Sequence, residues 1–462
     1  MDKFFKLKER KTTVKTELIA GMTTFFAMVY ILMVNADMFA SNLDVSYGAI
    51  YIATAISAVV GTIAAGLLSN LPLAQASGMG LNAFFVYTVC MGFGLSYANA
   101  LVLILGEGLV FILLTVTGLR KKIFGALPEA VRVAIPAGIG LFIALLGLEN
   151  AGIVVPKEST CVDLGSFNLL TQDWGSIMPM VVTLFTFLAI VIMEKKKVRG
   201  SVLLGILGGM GLYYLLGLTV PGFYDALQIQ FVSPIAAMKE FGQQSLGVVF
   251  REGFDFSAYT AQHGAANLAL TIATTALAFC MVDMFDTLGT LYAACERADL
   301  LDENGDPINM NRGMLSDAVA TTIGAICGTS TCTTFSEVNA GVAAGGRTGL
   351  TSVFCGLFFF VAMFLSPIAQ LVPSCATAAA LIYVGYLMLV SIKNVRWDDL
   401  KIGIPAFMTL AVMPFTYNIS YGIAFGLLSY IVISVFCGEI KKIKAASWVI
   451  AALFVAMLLL TH

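Results

Sequence analysis

The stretch from Gly328 to Gly349 reads GTSTCTTFSEVNAGVAAGGRTG and lies between long apolar runs. Small hydroxyl residues, glycines, a carboxylate (Glu337), an amide (Asn339) and an arginine (Arg347) stand where the flanking pattern asks for lipid-soluble helix. Backbone this polar at membrane depth survives only where protein encloses a cavity around it, because lipid offers its amide groups no hydrogen-bond partner. Earlier in the chain comes a second such place, Pro72 to Val89, reading PLAQASGMGLNAFFVYTV. Two interruptions in corresponding positions predict two related halves whose broken helices meet near the bilayer midplane, where secondary transporters bind their cargo. The plainer alternative is a pair of glycine-rich loops that merely interrupt two helices.

Composition fixes the class. With 59% hydrophobic and 12% charged residues and a mean hydropathy of +0.90, the chain departs from soluble domains, in which roughly a quarter of residues are charged. An all-α polytopic membrane protein follows. The basic start (Lys3, Lys6, Lys8, Arg10, Lys11, Lys15) runs into a long apolar segment without a signal-peptide cleavage pattern, so the first span is expected to be retained. The nine cysteines are scattered and form no CxxC pair, which argues for small hydrophobes over a disulfide framework or metal site. A net charge of -2 and the absence of a basic domain leave no basis for nucleic-acid binding. No cofactor motif and none of HExxH, strand-flanked GxSxG or GxxxxGK[ST] is present.

A crossing takes ~20 residues. Apolar segments fall near 18–40, 46–68, 98–118, 134–154, 175–193, 201–219, 267–295 and 314–327, then 349–372, 376–392, 403–417, 419–437 and 446–461. With the two broken segments this predicts fourteen crossings through Cys437, the run at 446–461 being a surplus. If the first loop is placed outside and the sides alternate, every Lys and Arg except Lys157, Lys239 and Arg251 falls on the cytoplasmic side. That asymmetry is the positive-inside pattern and sets the N-terminus in the cytoplasm of a cell-membrane protein. Fourteen divides into two sevens, and an odd half must be followed by one of inverted orientation. The spacing from Asn35 to Asp286 nearly equals that from Gly78 to Gly328, as such a repeat requires.

Carboxylates inside spans are costly and mark functional candidates. Asp283 and Asp286 lie three residues apart in FCMVDMFDTLGTLYAAC and share a helical face. Glu337 lies in the later break and Glu107 in LILGEGLVFILL. A carboxyl group in a low-dielectric cavity can take and release a proton near neutrality, which assigns proton coupling to Asp286, Glu337 and Asp283. Asp283 and Glu107 also have a plainer reading: Asp283 bridging neighbouring helices, Glu107 bonded to an adjacent span. Helices beginning at the breaks would present unpaired N–H groups and a positive dipole end near Gly78, Met79 and Gly80 and near Thr329, Ser330 and Thr331. Phe84, Phe85 and Phe335 offer faces on which a planar ligand could stack. Ser77, Asn82 and Asn339 complete the candidate set. Arg347 is accounted for by the positive-inside pattern, and the only histidines, His263 and His462, lie outside apolar spans.

Several long motifs, in order, resemble the AzgA-type purine permeases of the nucleobase/cation symporter-2 family. They are TFFAMVYILMVN (Thr24 to Asn35), SGMGLNAFFVYTV (Ser77 to Val89), GIGLFIALLGLENAGIVV (Gly138 to Val155), VDMFDTLGTL (Val282 to Leu291), GTSTCTTFSEVNAGVAAGGRTGLT (Gly328 to Thr351) and PAFMTLAVMPFTYNISYGIAFG (Pro405 to Gly426). The resemblance implies a uracil-transporter-like 7+7 inverted repeat of about fourteen segments, broken at the third and tenth. It implies a cytoplasmic tail at 1–17, a core domain from 18–130 and 267–373, and a gate domain from 131–220 and 374–438. An extracellular loop at 221–266 and a C-terminal tail at 439–462 complete the division. It further implies import of a purine base with protons, sodium being the alternative ion. Asp286 and Glu337 match the carboxylates of the eighth and tenth spans, and Ser77 to Phe85 the rest of the pocket. The chain departs from the usual pattern at Ala76-Ser77-Gly78, Ser336-Glu337-Val338, Asn339 and Glu107. Membrane lipid is the surrounding partner, and a homodimer is compatible with the family. The rivals are an anion carrier of the same fold, which would want a net positive site, a channel, and an intramembrane enzyme.

Overall fold

The structure is a computed structural model that describes residues 2–117, 127–157, 159–226, 233–303 and 305–460. The predicted basic cluster Arg120 to Lys122 and His462 lie outside the described residues. Among those described, nine helices are long and apolar enough to cross a membrane, and four shorter apolar helices accompany them. This is a multi-pass membrane protein.

The first half of the chain supplies α1 (Val14–Asn42), α2 (Tyr47–Ser69), strand β1 (Gln75–Ser77), α3 (Met79–Gly92) and α4 (Tyr97–Val116). It continues with α5 (Glu129–Asn150), a hairpin of β2 (Val154–Lys157) and β3 (Cys161–Leu164), α6 (Trp174–Lys195) and α7 (Ser201–Gly217). The second half supplies α8 (Ala265–Arg297), α9 (Met310–Cys327), strand β4 (Cys332–Thr334), the short α10 (Val338–Ala343) and α11 (Gly349–Ala362). Then come α12 (Ser374–Leu389), α13 (Leu400–Thr416), α14 (Ile419–Phe436) and α15 (Ala445–Leu460). The surplus apolar run is therefore a helix, and it packs on α8 and α14.

Local chemistry sets the ends. Side chains of Ser46, Ser96 and Asn418 accept from the backbone N–H three residues on, capping α2, α4 and α14. Gly328 ends α9 at φ 94, a left-handed position that a side chain would strain. Glu17, fully buried, accepts from the N–H groups of Arg347, Thr348 and Thr351 and from the Thr351 hydroxyl. It thus seals the otherwise unpaired start of α11.

Two packing groups emerge. In one, α2 packs on α9 and α11, α9 on α4, and α11 on α1. In the other, α5 packs on α12 and α13, α13 on α14, and α6 on α7 and α12. Each group contains a crossing that only glycine permits. A Cβ at Gly66 of α2 would lie 2.4 Å from the Gly349 carbonyl oxygen of α11, and one at Gly140 of α5 would lie 2.6 Å from the Gly385 carbonyl oxygen of α12. Small residues let helix backbones approach closely where no hydrophobic effect drives association. Short helices between α7 and α8 sit beside the start of α2, where Ser46 donates to Glu240 at 2.8 Å.

Candidate functional site

The two polar interruptions meet. β1 and β4 pair antiparallel, with Gln75 opposite Thr334, Ala76 opposite Thr333 and Ser77 opposite Cys332. The Gly78 N–H extends the ladder to the Thr331 carbonyl at 2.9 Å, and the Phe335 N–H donates to the Ala74 carbonyl at 3.0 Å. All six strand residues are buried, so backbone that lipid could not satisfy is satisfied by its counterpart from the other half.

A cavity of about 200 Å³ lies against this junction. Its walls include Gly78, Met79 and Gly80 from the start of α3, Asp286 from α8, and Thr333, Phe335 and Glu337 from β4 and the segment after it. Tyr30 of α1, Pro136 of α5, and Val384, Leu387, Met388 and Ser391 on or after α12 close it from other directions. The site thus draws on both packing groups. Asp286 accepts from the Thr333 hydroxyl at 3.1 Å. Glu337 accepts from the fully buried Tyr30 hydroxyl at 2.7 Å and from Ser336 at 3.1 Å. Among the described residues lining this cavity there are two carboxylates and no basic side chain. Met79 and Gly80 open α3, positions whose N–H groups lack an acceptor within the helix.

The cavity continues into a larger vestibule of about 630 Å³, with Tyr30, Ser336, Glu337, Val384 and Leu387 common to both. Beyond that neck the walls carry Thr23 and Ala27 of α1, Glu194, Lys197, Arg199, Arg297 and Asn339. The basic residues lie on the vestibule side of that neck.

The other predicted residues lie behind the cavity. Ser77, Asn82 and Thr329 form a buried network: Ser77 donates to Asn82 Oδ1 at 2.7 Å and lies 3.1 Å from the Thr329 hydroxyl. Asn35 joins it by donating to Thr329 at 3.1 Å and Thr54 at 2.7 Å. Ser330 and Thr331 are buried, and the Thr331 hydroxyl donates to Glu107 at 2.5 Å. These residues precede β4; the helix expected to begin near them begins at Val338, because the segment between is committed to pairing with β1. Phe84 packs against Phe279 with ring centroids 4.6 Å apart, and Phe85 stacks on Phe39 at 5.1 Å. Neither lines the cavity, whereas Phe335 does. Asp283 is fully buried and lies 3.5 Å from the Thr287 hydroxyl, whose oxygen accepts from the Thr334 N–H.

Sequence reasoning missed Tyr30, Thr333 and the α12 wall. Tyr30 sits in an apolar run, and its only signal is that a buried phenol needs a partner. Val384, Leu387, Met388 and Ser391 follow the spacing of one helical face, but nothing local says which face meets the site. No cluster of three or more His, Cys, Asp or Glu suited to a metal occurs among the described residues.

The chain belongs to the Permease family, whose model matches residues 15–425. Within that family it resembles AzgA-like purine permeases. It is 36% identical over 462 residues to the adenine permease AdeQ of Escherichia coli K12, covering 100% of this chain and 96% of that one. It is 35% identical over 464 residues to the guanine/hypoxanthine permease PbuG of Bacillus subtilis 168, covering 98% of each. These relatives are transporters, not enzymes. Among solved structures, the transmembrane domain of the cyanobacterial bicarbonate transporter BicA superposes with a TM-score of 0.60 at 16% identity, covering 90% of this chain and 97% of that one. The murine anion transporter Slc26a9, in an inward-facing state, gives 0.61 at 13%, covering 91% and 68%. At such identities the likeness concerns the fold alone.

Proposed function

We propose that this protein carries purine nucleobases across the cell membrane together with protons, by alternating access to the cavity at the β1–β4 junction. The observation that carries the reading is the pair of carboxylates, Asp286 and Glu337, in a cavity whose described lining residues include no basic side chain. A purine base presents N–H donors on two edges of a planar ring. Carboxylates accept such donors strongly, and the open N–H positions of α3 suit the ring's acceptor atoms. The names of the relatives, adenine and guanine/hypoxanthine permeases, agree with this cargo.

Alternating access draws support from the two packing groups; we read them as parts of a core, 18–130 with 267–373, and a gate, 131–220 with 374–438. We read α1 to α7 and α8 to α14 as the halves of a 7+7 inverted repeat of fourteen segments, with the N-terminus and basic loops in the cytoplasm. On that orientation the vestibule faces inward. Asp286 and Glu337 are the proton-coupling groups, with Asp283 behind them.

The related folds include a bicarbonate and an anion transporter, so an anion carrier is the second reading. Two carboxylates without a cation disfavour it, since like charge in a poorly solvated site is costly. Uptake by Asp286→Asn and Glu337→Gln variants tests the assignment. Each is expected to lose nearly all purine transport while still reaching the membrane; normal transport by both would overturn it.

A further inference from the structure

α1 and α12 touch at one end and part at the other. At the far end from the vestibule, the Asp37 carboxylate of α1 accepts from two hydroxyls in the first turn of α12: Ser374 at 2.9 Å and Thr377 at 2.7 Å. Ser41, one turn along α1, approaches the same carboxylate at 3.4 Å. Toward the other end, Thr23 and Ala27 of α1 and Tyr383 and Leu387 of α12 all line the vestibule. A carboxylate at a helix N-terminus is favoured by the helix dipole and by its hydroxyl donors, so this contact holds two elements of different packing groups together. Asp37 also lies seven residues beyond Tyr30 on α1, hence on the same helical face, and Tyr30 donates to Glu337 in the site.

We propose that Asp37 with Ser374 and Thr377 is the clasp that closes the site on the side opposite the vestibule, and that it must open for cargo to enter from that side. This rests on the alternating-access reading given above. One rigid helix then carries both the contact with a site carboxylate and the contact that shuts the gate. Loading at Glu337 and release at Asp37 are joined through α1.

Two measurements test it, both in a background with the native cysteines replaced and transport retained. In the first, Asp37→Cys and Thr377→Cys are bridged with a short bis-methanethiosulfonate reagent. Purine uptake is expected to fall to background and return on reduction, while the bridged protein still binds base through the open vestibule. Undiminished uptake by the bridged protein would overturn the clasp. In the second, spin labels at positions 27 and 387 report the width of the vestibule. Asp37→Ala is expected to add a population with shorter distance, as the released gate swings; an unchanged distribution would also overturn the clasp. The second readout needs no cargo. A wild-type protein that takes up no purine, with the distance shift intact, would therefore sink the purine reading and leave the clasp standing.

Discussion

Tyr30 and Glu337 lie 307 positions apart in sequence, and the phenol of one donates a 2.7 Å hydrogen bond to the carboxylate of the other. The bond joins the first span to the later polar interruption at the neck between cavity and vestibule. Tyr30→Phe keeps the ring and removes the donor. A hydrogen bond to a charged group contributes about 1.5–3 kcal/mol, so uptake at limiting purine is expected to fall tenfold or more, in the ~1.4 kcal/mol-per-decade sense. Kinetics of radiolabelled uptake, normalised to protein in the membrane, check it.

Gly80 is the point where the start of α3 meets α5. A Cβ there would sit 2.4 Å from Ile139 Cγ2 on α5. Gly80→Ala is expected to abolish most transport by pushing α5 off the site, and Ile139→Ala in the same chain to restore a substantial part of it. Transport assays on the two single variants and the double variant measure the coupling; independent, additive losses would count against this contact.

The approach of α2 to α11 predicts a stability effect separate from the site. Gly66→Ala forces a methyl onto the Gly349 carbonyl, and overpacking of this kind costs about 1–3 kcal/mol. The apparent melting temperature in detergent should drop. Gly208→Ala on α7, where a Cβ meets nothing within 4 Å, should leave it unchanged or raise it slightly.

Glu17 gives a sharper case. Its carboxylate satisfies three N–H groups and a hydroxyl at the start of α11. Glu17→Ala leaves buried donors unpaired, at about 1–3 kcal/mol for each unsatisfied group. The variant is expected to lose more thermal stability than Gly66→Ala and to express poorly, as fluorescence-detected size-exclusion would show.

The helical membrane class was legible because membranes restrict what a chain can do. Long apolar runs marked membrane helices, nine of them long enough to span among the described residues, and the two polar interruptions meet in β1 and β4. The pairing of Ala76 with Thr333 was not legible, since strand partnership over so long a separation leaves no local periodicity. The same limit hid Tyr30 and Asp37, whose partners come from distant segments. Phe84 and Phe85 show the converse error: an aromatic beside a polar motif is as readily a packing residue, and both turn into the core. Glu107 stands out in the sequence as an isolated charge, yet only the fold brings Thr331 to it.

Proton-driven purine transport is tested by uptake of labelled adenine, guanine, hypoxanthine and uracil into cells lacking their own base carriers, with and without a protonophore. Uptake of at least one purine is expected to collapse when the proton gradient is removed and to be lost in Asp286→Asn and Glu337→Gln. Absence of uptake for every base would contradict it and return the fold to the anion carriers it resembles. Purine uptake indifferent to the protonophore but dependent on sodium would keep the cargo and remove the proton role of the two carboxylates.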